Sequence, residues 1–479
     1  MAYRDLREYV STLEREGEAI RVGQEVDWDK EAGAILRRSY ELKAPAPLFE
    51  KVKGYPEGYR LFGGAAANYR RVALSLGLAA DTPFQEIVEE IERRWREPLK
   101  PVLVKDGPCQ EVVSLAPEAS LFSLPAPMIH EGDGGRFLGT WHLVATKDLD
   151  SSWVNWGMYR LMLHDRLHMG TQMNAFQHIG IMFMRKYEPR NLEMEFAAAF
   201  GGDPVLTIAA VLDYGLGNSE VDLAGALRRE PVQLVPCKTV DLAVPAEAEI
   251  VVEGKFLPGV RLDEGPFGEY TGYRTAPRAP RPVCRVTAIT HRHDPILPMA
   301  SLGIPVDDGH IVLTLSHSLA IQQHLRSMGF PFKGVFAVPE TAGHMAVVSI
   351  EPNYSNMATQ IACAIWSCKA GVFIPYVVVV DSDVDPTNMG QVLHAITTKC
   401  HPARGIRVMD HSVGHPLIPF LNQEERLWGQ SANVVFDCTW PLDWPRETVV
   451  PPRMSFENVY SKEIKDKVLA NWRNYGYKE

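Results

Sequence analysis

Nothing in this chain reads as a disulfide scaffold. Its seven cysteines (109, 237, 284, 363, 368, 400 and 438) are few for 479 residues, odd in number and without a CxxC pair. That pattern fits reduced thiols in a cytoplasm and excludes a disulfide framework or a thiolate zinc cluster. Runs of lysine and arginine are also missing, and the formal net charge is -10, which argues against a nucleic-acid or anionic-membrane partner. Long apolar stretches are absent too. The longest, Gly371 to Val380, contains Pro375 and is too short to cross a bilayer. The opening MAYRDLREYV carries no apolar signal core, and neither an internal repeat nor a low-complexity segment appears. These absences together lead us to expect a soluble cytoplasmic protein with no nucleic-acid or membrane partner.

The composition, 46% hydrophobic and 23% charged, is that of an ordinary globular protein, and the length calls for two or three domains. Leu6, Tyr9, Val10 and Leu13 are spaced for an amphipathic helix over 4–16. A second helix is expected near 28–42, a strand at PAPLFEKV, and a charged amphipathic helix over 84–98 with Phe84, Ile87, Ile91 and Trp95 on one face. The proline-punctuated segment from Pro101 to Pro127 reads as a domain boundary. From about Phe137, short stretches such as TWHLVATKD, SWVNWGMYRLMLHD, PVLTIAAVLDYG, EIVVEGKF and VCRVTAITHR suggest a compact β domain, with one helix inserted near 186–200. Beyond Pro298 the pattern alternates: helix 310–328, strands 334–337 and 345–350, helix 355–369, strand 374–380, helix 388–399. This is the signature of an α/β layer. A tail helix carries Ile464, Val468 and Trp472 on one face.

The hexapeptide Glu264-Gly265-Pro266-Phe267-Gly268-Glu269 combines a turn-forming backbone with a carboxylate at each end. Two carboxylates held close together cannot ionise independently, so one can serve as an acid near neutral pH. Taken alone, it reads sooner as a surface turn between solvated glutamates. Upstream, Asn155 and Arg160 sit in an otherwise apolar, aromatic stretch, His178 follows Gln177 in NAFQHIG, and Glu253 sits in EIVVEGKF at the end of a strand-like run. Singly these are a snorkelling arginine, a core histidine and an edge charge. As a set, Asn155, His178 and Glu253 make a mixed N/O group suited to Mg²⁺ or Mn²⁺. Such a metal can bridge to a phosphate, and Arg160 is placed to reach both a cofactor and the paired glutamates.

The succession NWxxxR, QHI, VxEG and EGPFGE resembles the UbiD family of decarboxylases, which depend on prenylated FMN. The resemblance covers nearly the whole chain, through LFEKVKGYP, LPAPMIHEGDGG, ILPMASLG with VDDGH, and DKVLANWRNYGY, and has the feel of the ferulate/cinnamate-type members. It implies an α/β (α+β) multidomain fold: an N-terminal α/β domain (1–125), a central split β-barrel that binds the flavin (126–300), and a C-terminal α/β domain (301–479) ending in an oligomerisation helix. It implies that Arg160, Glu264 and Glu269 are the catalytic network. Asn155, His178 and Glu253 would be ligands of Mn²⁺ or Mg²⁺ clamping the cofactor phosphate. Gly157, Met158, Tyr159, Arg160 and Gln177 would contact the flavin, and the backbone at Ala210 and Val211 would face K⁺.

The implied reaction is reversible, non-oxidative decarboxylation of an aromatic, heteroaromatic or α,β-unsaturated acid. It runs through a covalent adduct with prenylated FMN, with Glu269 as proton donor. Implied partners are the acid and CO₂, a flavin prenyltransferase as cofactor source, and further copies of the chain in a dimer or hexamer. Two rival readings are a non-catalytic UbiD-like subunit of a larger carboxylase and an ordinary FMN oxidoreductase on a split barrel. The substrate pocket is expected along Ser301–His310, Phe336–Thr341 and Ile396–Lys399, with Thr397 and Thr398 as polar contacts. His310 is read as a helix N-terminal residue.

Overall fold

The computed structural model describes residues 3–478, which form a mixed α/β, multidomain fold. The amphipathic helix over 4–16 forms as Leu6–Arg15. The Asp5 side chain caps it, and Leu6, Tyr9, Val10 and Leu13 are buried. With the helix Glu31–Glu41 it accompanies a four-stranded sheet in the order Ala19–Val26, Ala46–Val52, Arg60–Gly63, Ile296–Met299. The last strand comes from far along the chain and pairs Leu297 with Leu61. The N-terminal layer therefore includes one strand from the end of the segment 126–300.

The central element is a nine-stranded antiparallel sheet. Its order is Phe137–Gly139, Leu161–Leu163, His168–Thr171, Ala279–His291, Ile250–Glu264, Met194–Phe200, Leu143–Lys147, Val154–Gly157, and Val112–Leu115 adds to Ala279–His291. The two end strands of this path are not paired with each other, so the sheet does not close into a barrel.

Two local expectations are corrected here. The helix expected near 186–200 gives way to π and 3₁₀ turns over 183–190 and the strand Met194–Phe200. That strand is alanine-rich yet almost wholly buried, so packing on both faces overrides helical propensity. Conversely PVLTIAAV, taken for a strand, is the helix Pro204–Val211, with Asp203 capping it and proline at its first position. It is buried all round and so carries no amphipathic period.

Five strands make the C-terminal sheet, in the order Gly334–Ala337, Met345–Ile350, Tyr376–Asp381, Gln430–Cys438, Ile406–Val413. The three central strands are parallel and the two flanking ones antiparallel. The helix Asp308–Ser327 begins at a capping box in which Asp307 and His310 exchange side-chain and backbone hydrogen bonds. No described helix is long and apolar enough to cross a membrane.

Candidate active site

Residues 158–160 carry the chain from Val154–Gly157, at one end of the open sheet, to Leu161–Leu163, near the other. Arg160 stands in this crossing. Glu264 ends the long strand Ile250–Glu264, paired with Ala279, and the turn that follows brings Glu269 back to the same point. The Arg160 guanidinium grips Glu264 through Nε (2.8 Å) and Nη2 (2.9 Å), and donates Nη1 to Glu269 Oε1 at 2.5 Å. Both carboxylates are buried. One cation cannot balance two buried anions, so the arrangement favours a proton on one of them. Burial pushes the Glu269 carboxyl above its ordinary range. Arg160 opposes the rise, and the charges of Glu264 and Asp133 add to it. Arg160 thus makes two hydrogen bonds to Glu264 and one to Glu269.

Close backbone contacts hold this turn in place. Gly265 has φ +80°, a conformation that favours glycine. A Cβ on Gly134 would sit 1.9 Å from the Gly265 carbonyl oxygen, so the two loops can pack only with glycine there. The Gly134 amide donates to the Pro266 carbonyl at 2.7 Å, and the Gly268 amide donates to Asp133 Oδ1 at 2.9 Å. Asp133 Oδ2 accepts from the His130 amide (3.0 Å) and lies 2.9 Å from His130 Nδ1, whose Nε2 is 3.3 Å from Ser301 Oγ. His310 Nε2 donates to the Tyr270 carbonyl at 2.5 Å, which fixes the residue after Glu269.

A second constellation gathers close by in the sequence. Asn155 (strand Val154–Gly157) and His178 (first residue of the helix His178–Met182) meet with His178 Nδ1 2.9 Å from Asn155 Oδ1. The carboxylate beside them is not Glu253. It is Glu220, on the first turn of the helix Glu220–Arg228, whose Oε1 is 3.5 Å from the same ring nitrogen and whose Oε2 accepts the Trp156 amide at 2.7 Å. Glu253 is fully engaged elsewhere: its oxygens accept the Lys238 amide (2.8 Å) and the Thr239 amide and hydroxyl (both 2.7 Å). Glu253 is thus satisfied away from Asn155 and His178, and it is corrected to Glu220 as the carboxylate beside them.

Cis ligands about 2.1 Å from an octahedral ion lie about 3 Å apart. The spacing of these N and O atoms therefore suits a hard divalent cation. The described residues contain no cluster of three or more His, Cys, Asp or Glu side chains fit to hold a metal; this set has two such residues and an amide.

Tyr159 is buried, accepts from Asn155 Nδ2 at 3.3 Å, and has its phenol pushed up to about 12 by burial. Its ring also blocks the space that a Cβ on Gly157 would need. Met158 is half-buried against the core. Gln177 Oε1 accepts the Asn174 amide at 2.9 Å, and Ala210 and Val211 end their helix with the Val211 carbonyl accepting Ser316 Oγ at 3.2 Å.

Comparison with known proteins decides the kinship. Three descriptions of 3-octaprenyl-4-hydroxybenzoate carboxy-lyase match: its N-terminal domain over residues 10–91, its Rift-related domain over 100–305 and its C-terminal domain over 310–438. The pyrrole-2-carboxylic acid decarboxylase of Pseudomonas aeruginosa is 32% identical, over 99% of this chain and 98% of its own. The chain belongs to the UbiD family of carboxy-lyases. Ferulic acid decarboxylase 1 of Saccharomyces cerevisiae is 30% identical over 99% of this chain and 98% of its own. Among solved structures, the closed form of Sedimentibacter hydroxybenzoicus vanillic acid decarboxylase matches with TM-score 0.87 at 31% identity, covering 98% of this chain and 99% of that one. The UbiD-class enzyme HmfF from Pelotomaculum thermopropionicum, in complex with FMN, matches with TM-score 0.85 at 30% identity, covering 98% and 100%.

Within this UbiD chain, one residue of the site escaped sequence reasoning. Glu220 follows Ser219 at a helix start, where an acid is ordinary because it complements the helix dipole, so its sequence context carries no special signal. The expected pocket residues Thr397 and Thr398 also turn away: both hydroxyls donate to the His394 carbonyl of their own helix. They line an exposed cleft of about 540 Å³ with Trp440 and Trp444, which includes none of Arg160, Glu264 or Glu269.

The Asp133 anchor gives a first testable outcome. Asp133→Ala leaves the Gly268 and His130 amides without acceptors, at about 1–3 kcal/mol each. Hydrogen exchange at the Gly268 amide is expected to quicken roughly 5- to 100-fold, with kcat falling more than KM rises. Wild-type exchange at that amide would show that Asp133 does not hold the turn.

Proposed function

We propose that this chain catalyses the reversible, non-oxidative decarboxylation of an aromatic, heteroaromatic or α,β-unsaturated carboxylic acid, with prenylated FMN as cofactor and Glu269 as proton donor. The observation that carries the reading is the buried network in which Arg160 holds Glu264 by two bonds and Glu269 by one. A non-catalytic subunit would have no use for such a costly burial of charge. Loss of CO₂ from an sp² carbon leaves an unstabilised carbanion, and prenylated flavin, when bound, supplies the electron sink. Arg160 orients the substrate carboxylate while keeping Glu264 ionised. Glu269, protonated more readily than an exposed glutamate, delivers its proton to the carbon that CO₂ leaves. Run backwards, the same groups abstract that proton and permit carboxylation at high CO₂.

The open nine-stranded sheet serves as the split barrel around the flavin in this reading, supported by the likeness to HmfF in complex with FMN. Asn155, His178 and Glu220 would hold Mn²⁺ or Mg²⁺ against the flavin phosphate. Gln177, Gly157, Met158 and Tyr159 would contact the flavin itself. K⁺ would draw on the carbonyls of Ala210 and Val211, one of which already takes Ser316 Oγ. A flavin prenyltransferase supplies the cofactor. The test is a screen of aromatic, heteroaromatic and cinnamic acids with protein co-produced with such an enzyme. CO₂ release from one class supports the reading, and none from any class refutes it.

The same reading makes the chain a homo-oligomer, a dimer or hexamer. The tail helix Lys462–Ala470 buries none of its residues, and Ile464, Leu469 and Trp472 are exposed. Removal of residues 461–479 is expected to lower the mass seen by light scattering at micromolar concentration; an unchanged assembly would place the interface elsewhere.

A further inference from the structure

An acid that enters as its carboxylate and leaves as CO₂ takes up a proton from solvent at every turnover. On the decarboxylase reading above, that proton reaches the product carbon from Glu269, which is left ionised and has to be recharged. Glu264 and Glu269 are both buried. The recharging proton therefore needs a carrier that touches solvent at one end and the network at the other.

His164 has that reach. It follows the strand Leu161–Leu163, just beyond Arg160. Its ring is half-buried: Nε2 is buried without a hydrogen-bond partner, whereas Nδ1 stays accessible. Buried polar atoms are seldom left so, and each calls for a reason. Here the nitrogen and Glu264 border one gap. A Cβ on Gly170 would stand 2.5 Å from His164 Nε2 and 3.3 Å from Glu264 Cγ, so glycine keeps that gap open. Gly170 pairs with Met162, which lies between Arg160 and His164. A proton crosses such a gap directly or through one water.

Charged groups face the ring from each segment packed around it. Glu264 ends the strand Ile250–Glu264, and Arg278 precedes the strand Ala279–His291. Asp165 and His168 belong to the turn of His164 itself, with His168 Nδ1 3.0 Å from Asp165 Oδ1. Burial first and the Arg278 charge next hold the His164 imidazole below its ordinary range, against the pull of Glu264 and Asp165. A neutral imidazole has one N–H and one bare nitrogen, so it can take a proton at one end and release one at the other.

We infer that His164 is the proton port of the buried network, carrying protons from solvent to Glu264 and so to Glu269. The step balances. Solvent protonates Nδ1, the Nε2 proton passes to the Glu264 carboxylate, and the ring is left neutral. Glu264 hands the proton to Glu269, its neighbour on the Arg160 guanidinium. Rotation of the half-exposed side chain out to solvent resets the tautomer before the next proton. In carboxylation the same route runs outward.

The test uses the flavin-loaded enzyme and follows successive turnovers. In His164→Ala, Glu269 enters the first turnover already protonated but is recharged slowly. A burst of one product per site is expected, then a steady-state kcat lowered about 100-fold with KM unmoved, the low end of a positioned proton carrier's contribution. Exchange of the product C–H with D₂O is expected to slow alike. Imidazole in the buffer can occupy the space left by the side chain and is expected to raise the steady rate about 10-fold or more. Pyrazole, of the same shape but a far weaker base, is expected to raise it little. A histidine that only props up the fold would slow the first turnover too, and both rings would rescue it. If the alanine variant does not fold, His164→Asn decides by the same burst. A wild-type steady rate, a slowed first turnover or equal rescue by pyrazole overturns the port and leaves the decarboxylase reading standing. If the wild type releases CO₂ from no acid, that reading falls, and the port with it.

Discussion

Glu269→Gln is expected to abolish exchange of the product's new C–H with solvent deuterium and to cut turnover by about 10²–10⁴-fold, the usual share of general acid catalysis. Glutamine keeps the shape of the side chain and an acceptor for Arg160 Nη1, now 2.5 Å from the carboxylate. It removes only the transferable proton. Glu269 is no part of the Asn155–His178–Glu220 cluster, so flavin and metal content should stay at wild-type levels. The site is buried, so water has no ready path to replace the lost donor. Arg160→Ala should differ, because it strips both glutamates of their shared cation and leaves two buried acids to protonate.

The pH dependence follows from the direction of the Glu269 shift. Burial raises its carboxyl, so the acid form persists to higher pH than in an exposed glutamate, and decarboxylation slows as pH rises through that raised value. The measurement is incubation of the product in D₂O followed by mass spectrometry, wild type against variant. Exchange at the wild-type rate in Glu269→Gln would move the acid to Glu264.

The meeting of Arg160 with Glu264 and Glu269 was legible through the family resemblance of NWxxxR and EGPFGE; the six-residue turn by itself reads as a surface turn. The alternating strands and helices from 310 to 399 were legible from their periodicity, and all six formed. What failed has a physical pattern. Met194–Phe200 and Pro204–Val211 are buried on every side, so neither shows the half-polar period that separates strand from helix. Ile406–Val413 is largely exposed and has no clean alternation, and it went unread. Glu253 and Glu220 were confused for another reason. Which carboxylate meets Asn155 and His178 depends on how the helix Glu220–Arg228 docks on the strand Val154–Gly157. Spacing along the chain cannot encode that long-range contact.

That confusion yields the sharpest remaining contrast, between two glutamates with opposite expected phenotypes. Glu220→Gln keeps an oxygen to accept the Trp156 amide, now bonded at 2.7 Å, but removes the charge that a divalent cation needs beside neutral Asn155 and His178. Partners outside the ligand shell already carry about 10–100-fold in metal affinity, and loss of the one anionic ligand should exceed that. The purified variant is expected to lose Mn²⁺ or Mg²⁺ and, with the phosphate unclamped, its flavin.

Glu253→Gln should do neither. Its carboxylate answers the Lys238 and Thr239 amides and the Thr239 hydroxyl, an arrangement in which one amide NH₂ must now face a backbone donor. The penalty falls on stability, at about 1–3 kcal/mol for an unsatisfied buried group, and shows as a lower Tm with metal and flavin at wild-type stoichiometry. The measurements are metal analysis and flavin absorbance on both variants, with thermal unfolding alongside. Glu253→Gln stripped of metal while Glu220→Gln retains it would return the ligand role to Glu253 and undo the assignment made from the geometry.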